Sequence, residues 1–219
     1  MATSLAQVGQ QICHVVLAIT AVVSWVTLAN SQETFTSRNA FLKTQLKAND
    51  RLSTEAKGDL NADGLVDWVV VIRSQEPDTS PTYEMFVLLR QAASGFRLAE
   101  RTQKAESPGM GCCWLEDLTI RGGSIFVQNN AKTASVMEAA THQFKWYKGE
   151  WRLVGLTVYL TDHTPGSPST KDTEMNLLTG LIIEKTRKGN RPARTQRSSR
   201  EFPVALLKDF DFSNGFGAE

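Results

Sequence analysis

Residues 118–127, LTIRGGSIFV, leave the chain few choices of local structure. Gly122 and Gly123 sit between LTIR, in which apolar and polar residues alternate, and the apolar-rich SIFV. A two-residue turn that twists with its flanking strands needs positive φ at its central positions, which glycine adopts at no steric cost. Closing the turn there sets Ile120 opposite Ile125 and Leu118 opposite Val127, so the apolar pairs share one side of the ribbon. That is the pattern of a half-buried antiparallel sheet. A second ribbon follows, with Phe144 and Trp146 before a turn at Lys148, Gly149 and Glu150, and Trp151 and Leu153 after it. Past Gly155 the apolar phase moves to Leu156, Val158 and Leu160. A glycine at such a switch marks a bulge or bend.

Upstream, residues 67–72 (DWVVVI) are a short apolar run rich in β-branched residues, the pattern of a central strand. Residues 83–89 and 96–100 suggest two more strands, joined around Ser94 and Gly95. Residues 36–50 read as one short helix, with Ser37 as N-cap and Leu42 and Leu46 on one face. Residues 131–140 have helix-forming composition and do not decide between helix and strand. Residues 161–173, with Pro165, Gly166 and Pro168, read as a loop, and 176–186 as a strand. Residues 185–200 hold seven basic residues and no acidic one, a solvated surface loop or a site of anion affinity. No aromatic residue interleaves that run, which argues against nucleic acid, as does the net charge of +1. The fold class expected is mainly β (α+β): an antiparallel sheet domain of several hairpins, one N-terminal helix, and a calcium-loop-to-strand unit. With no internal repeat and no linker, residues 32–219 read as a single domain.

No Asp, Glu, Lys or Arg precedes Glu33, and residues 15–29 are a largely apolar run. Residues 1–31 therefore read as a signal peptide cleaved after Ala29 or Ser31, although the usual basic n-region is missing. An uncleaved anchor over residues 12–29 is the alternative. The first reading places the protein in the periplasm or outside the cell, and the second tethers it to the inner membrane. Cys13 precedes the apolar run, so it is not placed for lipid attachment. Removing the leader leaves only the neighbours Cys112 and Cys113. A disulfide between sequence neighbours is strained, because their Cα atoms stand about 3.8 Å apart. A free thiol pair, an intermolecular bridge and two small buried residues compete with it.

The segment with the clearest chemistry is Asp59-Leu60-Asn61-Ala62-Asp63-Gly64-Leu65-Val66-Asp67. Side-chain oxygens recur at positions 1, 3, 5 and 9, with glycine at position 6, where a tight calcium loop turns sharply. Ca²⁺ takes six to eight oxygen ligands, and Asp59, Asn61, Asp63, the Leu65 carbonyl and Asp67 are the candidates. Carboxylates this close repel one another unless a cation neutralises them. Position 12 is Val70, not the bidentate Glu of an EF-hand, and the loop enters a strand where an EF-hand enters a helix. An Asx-rich turn without metal is the bland alternative.

Residues 58–72, GDLNADGLVDWVVVI, resemble the calcium-binding unit of integrin-type, VCBS-like (FG-GAP) repeats. The resemblance implies the same ligands: Asp59, Asn61, Asp63, Leu65 and Asp67. Propellers repeat this loop in successive blades, whereas this chain has it once, so the resemblance implies a brace on a smaller sheet. The wider pattern adds the Gly122-Gly123 hairpin, Trp151-Arg152-Leu153, and residues 176–180 (NLLTG). It resembles exported bacterial proteins of unknown function, and implies a periplasmic β-rich protein without implying an activity.

No nucleophile elbow, phosphate loop, dinucleotide fingerprint or zinc-binding helix appears. His142 and His163 read as surface or strand-end residues, with a general base as the competing role. The expected function is a non-catalytic exported module with a structural Ca²⁺. It would bind or inhibit a protein partner such as a toxin or an envelope enzyme, with anchors drawn from Trp114, Trp146, Trp151 and Tyr159. A hydrolase of envelope polymer using Glu116, Asp117 and Asp162 is the alternative, and a purely structural envelope protein is a third reading.

Overall fold

The computed structural model describes residues 33–77, 79–106, 114–165 and 168–212. The leader and the Cys112–Cys113 pair lie outside the described residues. The first half of the chain runs β1 (Thr34–Phe35), α1 (Arg38–Gln45), β2 (Asp50–Gly58), β3 (Asp67–Ser74), β4 (Thr82–Arg90), β5 (Phe96–Arg101) and β6 (Ala105–Glu106). These strands form an antiparallel sheet in the order β1-β5-β4-β3-β2, with β6 pairing to β4. The second half is a seven-stranded antiparallel meander. Its strands are β7 (Trp114–Arg121), β8 (Ser124–Lys132), β9 (Val136–Tyr147), β10 (Glu150–Asp162), β11 (Ser169–Asn176), β12 (Leu181–Lys188) and β13 (Arg194–Ser199). The domain is mainly β, and α1 is the one α-helix among the described residues.

The unbroken apolar run of β3 has a direct cause: both of its faces are covered. Val69 and Val71 join Met85, Val87 and Leu89 in a core that faces the second sheet. Val70 and Ile72 join Phe86, Leu88 and Phe96 on the opposite face, beneath Phe41 and Leu42 of α1. The helix is anchored by Phe41, fully buried and edge-on to both Phe35 and Phe86. Arg38 ties it sideways to Glu55 of β2 through an ion pair, with its guanidinium over the Trp68 ring. Ser37 caps it, its Oγ accepting from the Ala40 N–H at 3.0 Å. The helix is shorter than residues 36–50 because Leu46 turns extended and Asp50 opens β2.

In the meander the two hairpins pair as their residues dictate. Ile120 lies opposite Ile125 and Leu118 opposite Val127, while Trp146 faces Trp151 and Phe144 faces Leu153. The register shifts between Leu153 and Gly155, and this bulge keeps Leu153 and Leu156 on the same face. Leu118, Ile125, Val127, Phe144, Trp151 and Leu153 meet the first sheet, and Leu207 and Phe212 of the C-terminal segment join that core.

Residues 131–140, undecided between helix and strand by composition, end β8 at Lys132 and begin β9 at Val136, since cross-strand pairing overrides their helix propensity. Three expectations need correction. Most of the expected loop 161–173 is strand, with β10 running to Asp162 and β11 starting at Ser169. The expected strand 176–186 begins only at Leu181, because Asn176 Oδ1 accepts from the Leu178 and Thr179 N–H groups and folds a turn. The basic stretch 185–200 is a hairpin arm, β12 and β13, not a loop.

Candidate metal centre

The Asp59–Asp67 segment is the connection between β2 and β3, entered from Gly58 and closed by Asp67, its register partner. Asp67 is fully buried and holds the loop closed. Its Oδ2 accepts from the Leu60 N–H at 2.8 Å, and its Oδ1 accepts from the Arg90 N–H, at the end of β4, at 2.7 Å. One carboxylate thus fastens the loop to two strands. Leu60 drops into the inter-sheet core, which fixes the first turn of the loop from below. At Gly58 the backbone passes so close to β7 that a Cβ would stand 2.6 Å from Ile120 Cγ2. Only glycine fits there without displacing that side chain.

The outer part of the loop is a succession of Asx turns. Asp59 accepts from the Gly64 N–H at 2.9 Å and the Asn61 N–H at 3.3 Å. Asn61 Oδ1 accepts from the Asp63 N–H at 3.3 Å, and Asp63 Oδ1 accepts from the Leu65 N–H at 2.8 Å. Gly64 adopts φ of 79°, the left-handed conformation that glycine takes without strain. Across the loop, Asn61 Nδ2 donates to Asp63 Oδ2 at 2.8 Å. Burial pushes the Asp67 carboxyl above its usual pKa; its two backbone donors oppose this, and the charges of Asp63 and Asp59 reinforce it.

No protein-family model, curated protein or solved structure matches the chain.

The donors suit a hard cation by type: two outer carboxylates, an amide oxygen, a peptide carbonyl and one inner carboxylate. Their arrangement is that of a self-bonded turn. Among the described residues no three His, Cys, Asp or Glu side chains converge as a metal-holding group. Ca²⁺ would be held by Asp59, Asn61, Asp63 and the Leu65 carbonyl, with Asp67 beneath them, its oxygens already accepting from two N–H groups.

The other expected residues are scattered. Asp117 is linked through successive pairings to Gln128, Thr141 and Thr157, so Asp162 lies three strands and five residues away. That offset is about 20 Å from strand geometry, against the about 5 to 10 Å that glycoside hydrolysis uses. His163 is exposed just beyond β10, as expected of a strand-end histidine. His142 departs from that expectation: it is buried in mid-β9, edge-on to Phe210. Its environment comes from a C-terminal segment remote in sequence, which no local pattern announces. Of the aromatic anchors, Trp151 is 2% exposed and belongs to the core, whereas Trp146 at 51% and Tyr159 at 41% face solvent. The side chain of Trp114 lies outside the described residues. The closing partners of Asp67, the amides of Leu60 and Arg90, are backbone groups without a sequence signature.

Proposed function

We propose that this chain is an exported, non-catalytic β-rich module with a structural Ca²⁺ in the Asp59–Asp67 loop, and that it binds or inhibits a protein partner of the cell envelope. The observation that supports the metal is the division of labour in the loop. Asp67 is committed to holding two strands, while Asp59, Asn61, Asp63 and the Leu65 carbonyl remain on the outer turn, where only local bonds occupy them. A bound Ca²⁺ supplies charge neutralisation to three carboxylates. The chain's own residues orient the loop and keep Leu60 in the core. A fixed loop between β2 and β3 then gives a partner a rigid surface, and the exposed Trp146 and Tyr159 are available as anchors.

Calorimetry in EDTA and in excess Ca²⁺ tests the metal. Saturation at about a hundred times Kd adds about 2.7 kcal/mol, which raises the melting temperature by about 5 to 10 °C for a domain of this size. Asp63→Ala should abolish the response. An identical melting temperature in both conditions defeats the calcium reading. Affinity capture from envelope extract tests the partner: one stoichiometric protein is expected, and repeated recovery of none defeats that half of the proposal.

A further inference from the structure

The arm β12–β13 forms the outer edge of the seven-stranded sheet, and every residue of β13 is exposed. Its register fixes which backbone groups face outward. The Arg200 N–H donates to the Gly180 carbonyl, and the ladder continues from there through Leu181–Ser199 to Thr186–Arg194. Hydrogen-bonded and non-bonded pairs alternate along an antiparallel ladder. Arg194, Gln196 and Ser198 therefore bond inward to β12, and Thr195, Arg197 and Ser199 present their N–H and C=O groups to solvent.

The same edge carries unbalanced charge. Lys185 is paired with Glu174 at 3.0 Å, and Lys171 takes Glu184. Among the described residues, Arg187, Lys188, Arg191, Arg194 and Arg197 form no ion pair. Lys188, Arg191 and Arg194 line one groove of about 380 Å³ with Pro192 and Gln196. Arg197 lies across the ladder from Ile183, so it projects from the same face as Lys185 and Arg187. Both faces of the edge are thus cationic. Pairing with the β13 of a second copy would oppose like charges, which is how natural sheets keep such edges from self-association. An incoming strand of opposite charge reverses the sign of every one of those interactions.

We infer that β13 is a docking strip for an extended acidic segment of a protein partner, taken up by strand addition at Thr195, Arg197 and Ser199 and held by Arg187, Lys188, Arg194 and Arg197. This rests on the protein-partner reading above and specifies its chemistry: about six residues in β conformation, the length of a strand of about 20 Å, rich in Asp or Glu.

The test uses the full chain and three probes: a ten-residue peptide alternating Glu with Thr, its Lys-for-Glu counterpart, and inorganic polyphosphate. The Glu peptide should bind and slow amide exchange at Thr195, Arg197 and Ser199 by about tenfold or more, and the Lys peptide should not bind. Arg194→Glu with Arg197→Glu should weaken binding by about tenfold or more. Thr195→Pro with Ser199→Pro keeps every cation and every inward ladder bond, so the melting temperature should hold while affinity falls equally. Unchanged peptide binding by the proline variant overturns the inference, since the patch would then read charge alone. Polyphosphate protecting the same three amides, a dimer formed through β13, or no binding of the Glu peptide would each overturn it too. If an envelope partner is captured equally by wild type and the proline variant, the docking strip fails and the partner reading stands. If the peptide protects the three amides but no envelope partner is ever recovered, the partner reading fails and strand addition stands.

Discussion

Acidification should destabilise this domain through His142, by an amount that can be worked from its surroundings. The imidazole sits in β9 across from Val127 and Leu156, 3% exposed, with the Phe210 ring centroid 5.0 Å away and no partner for Nδ1. Burial lowers its pKa from 6.5 to about 4, against a smaller upward pull from a backbone hydrogen bond to Val127. The unfolded chain takes up a proton as pH falls through its ordinary value, while the folded chain does so only near 4. Between those values the unfolded state binds more protons, so stability falls with pH across that window and levels off below it. A shift of this size corresponds to about 3 kcal/mol lost between pH 7 and pH 4. His142→Phe removes the titration while keeping a ring against Phe210. Urea midpoints for both proteins from pH 4 to 8 isolate the contribution, because the carboxyls of Glu84 and Glu138, raised by burial, titrate in both and cancel in the difference. The wild type should lose stability relative to the variant as pH falls. A flat difference, or one of opposite slope, refutes the reasoning.

Substitutions at three further positions probe the first sheet and its loop. Asp67→Ala leaves the buried Leu60 N–H without its acceptor and unties Arg90, and should cost about 2 to 4 kcal/mol in urea denaturation; Asp67→Asn, which keeps one acceptor oxygen, should cost less. Gly58→Val drives a branched side chain into Ile120, and overpacking of this kind should cost about 1 to 3 kcal/mol, read from the melting temperature. Phe41→Ala empties the site between α1 and the first sheet and should cost about 3 to 5 kcal/mol. Amide exchange should then show α1 opening ahead of the rest of the domain.

What the residues reveal in advance depends on whether a segment's neighbours are close in sequence. The hairpins at Gly122-Gly123 and Lys148-Gly149 were legible because turn chemistry and apolar pairing agree within a few residues, and the bulge at Gly155 because the phase shifts there. β2 was not legible. It lies at a sheet edge, its side chains are at most half-buried, and residues 50–58 (DRLSTEAKG) carry no apolar alternation. β11 (STKDTEMN) hides for the same reason, its polar side chains being paired across the ladder with those of β12. The loop from Asp59 to Asp67 was legible as a turn with hard donors. Two amides, one of them on β4, claim the oxygens of Asp67, and that follows only from the sheet order.

That sheet order also bears on how the chain folds. Among the described residues, every strand pairing except β1 with β5 and β4 with β6 joins strands adjacent in sequence. Each sheet can therefore zip from its own turns at low loop-closure cost, and the slow event is left to the non-local contacts. Thr34 reaches its partner Arg97 across the length of chain that holds three whole strands, β2, β3 and β4. Pulse-labelled exchange during refolding should find β7 to β10 protected first and the β1–β5 pairing last.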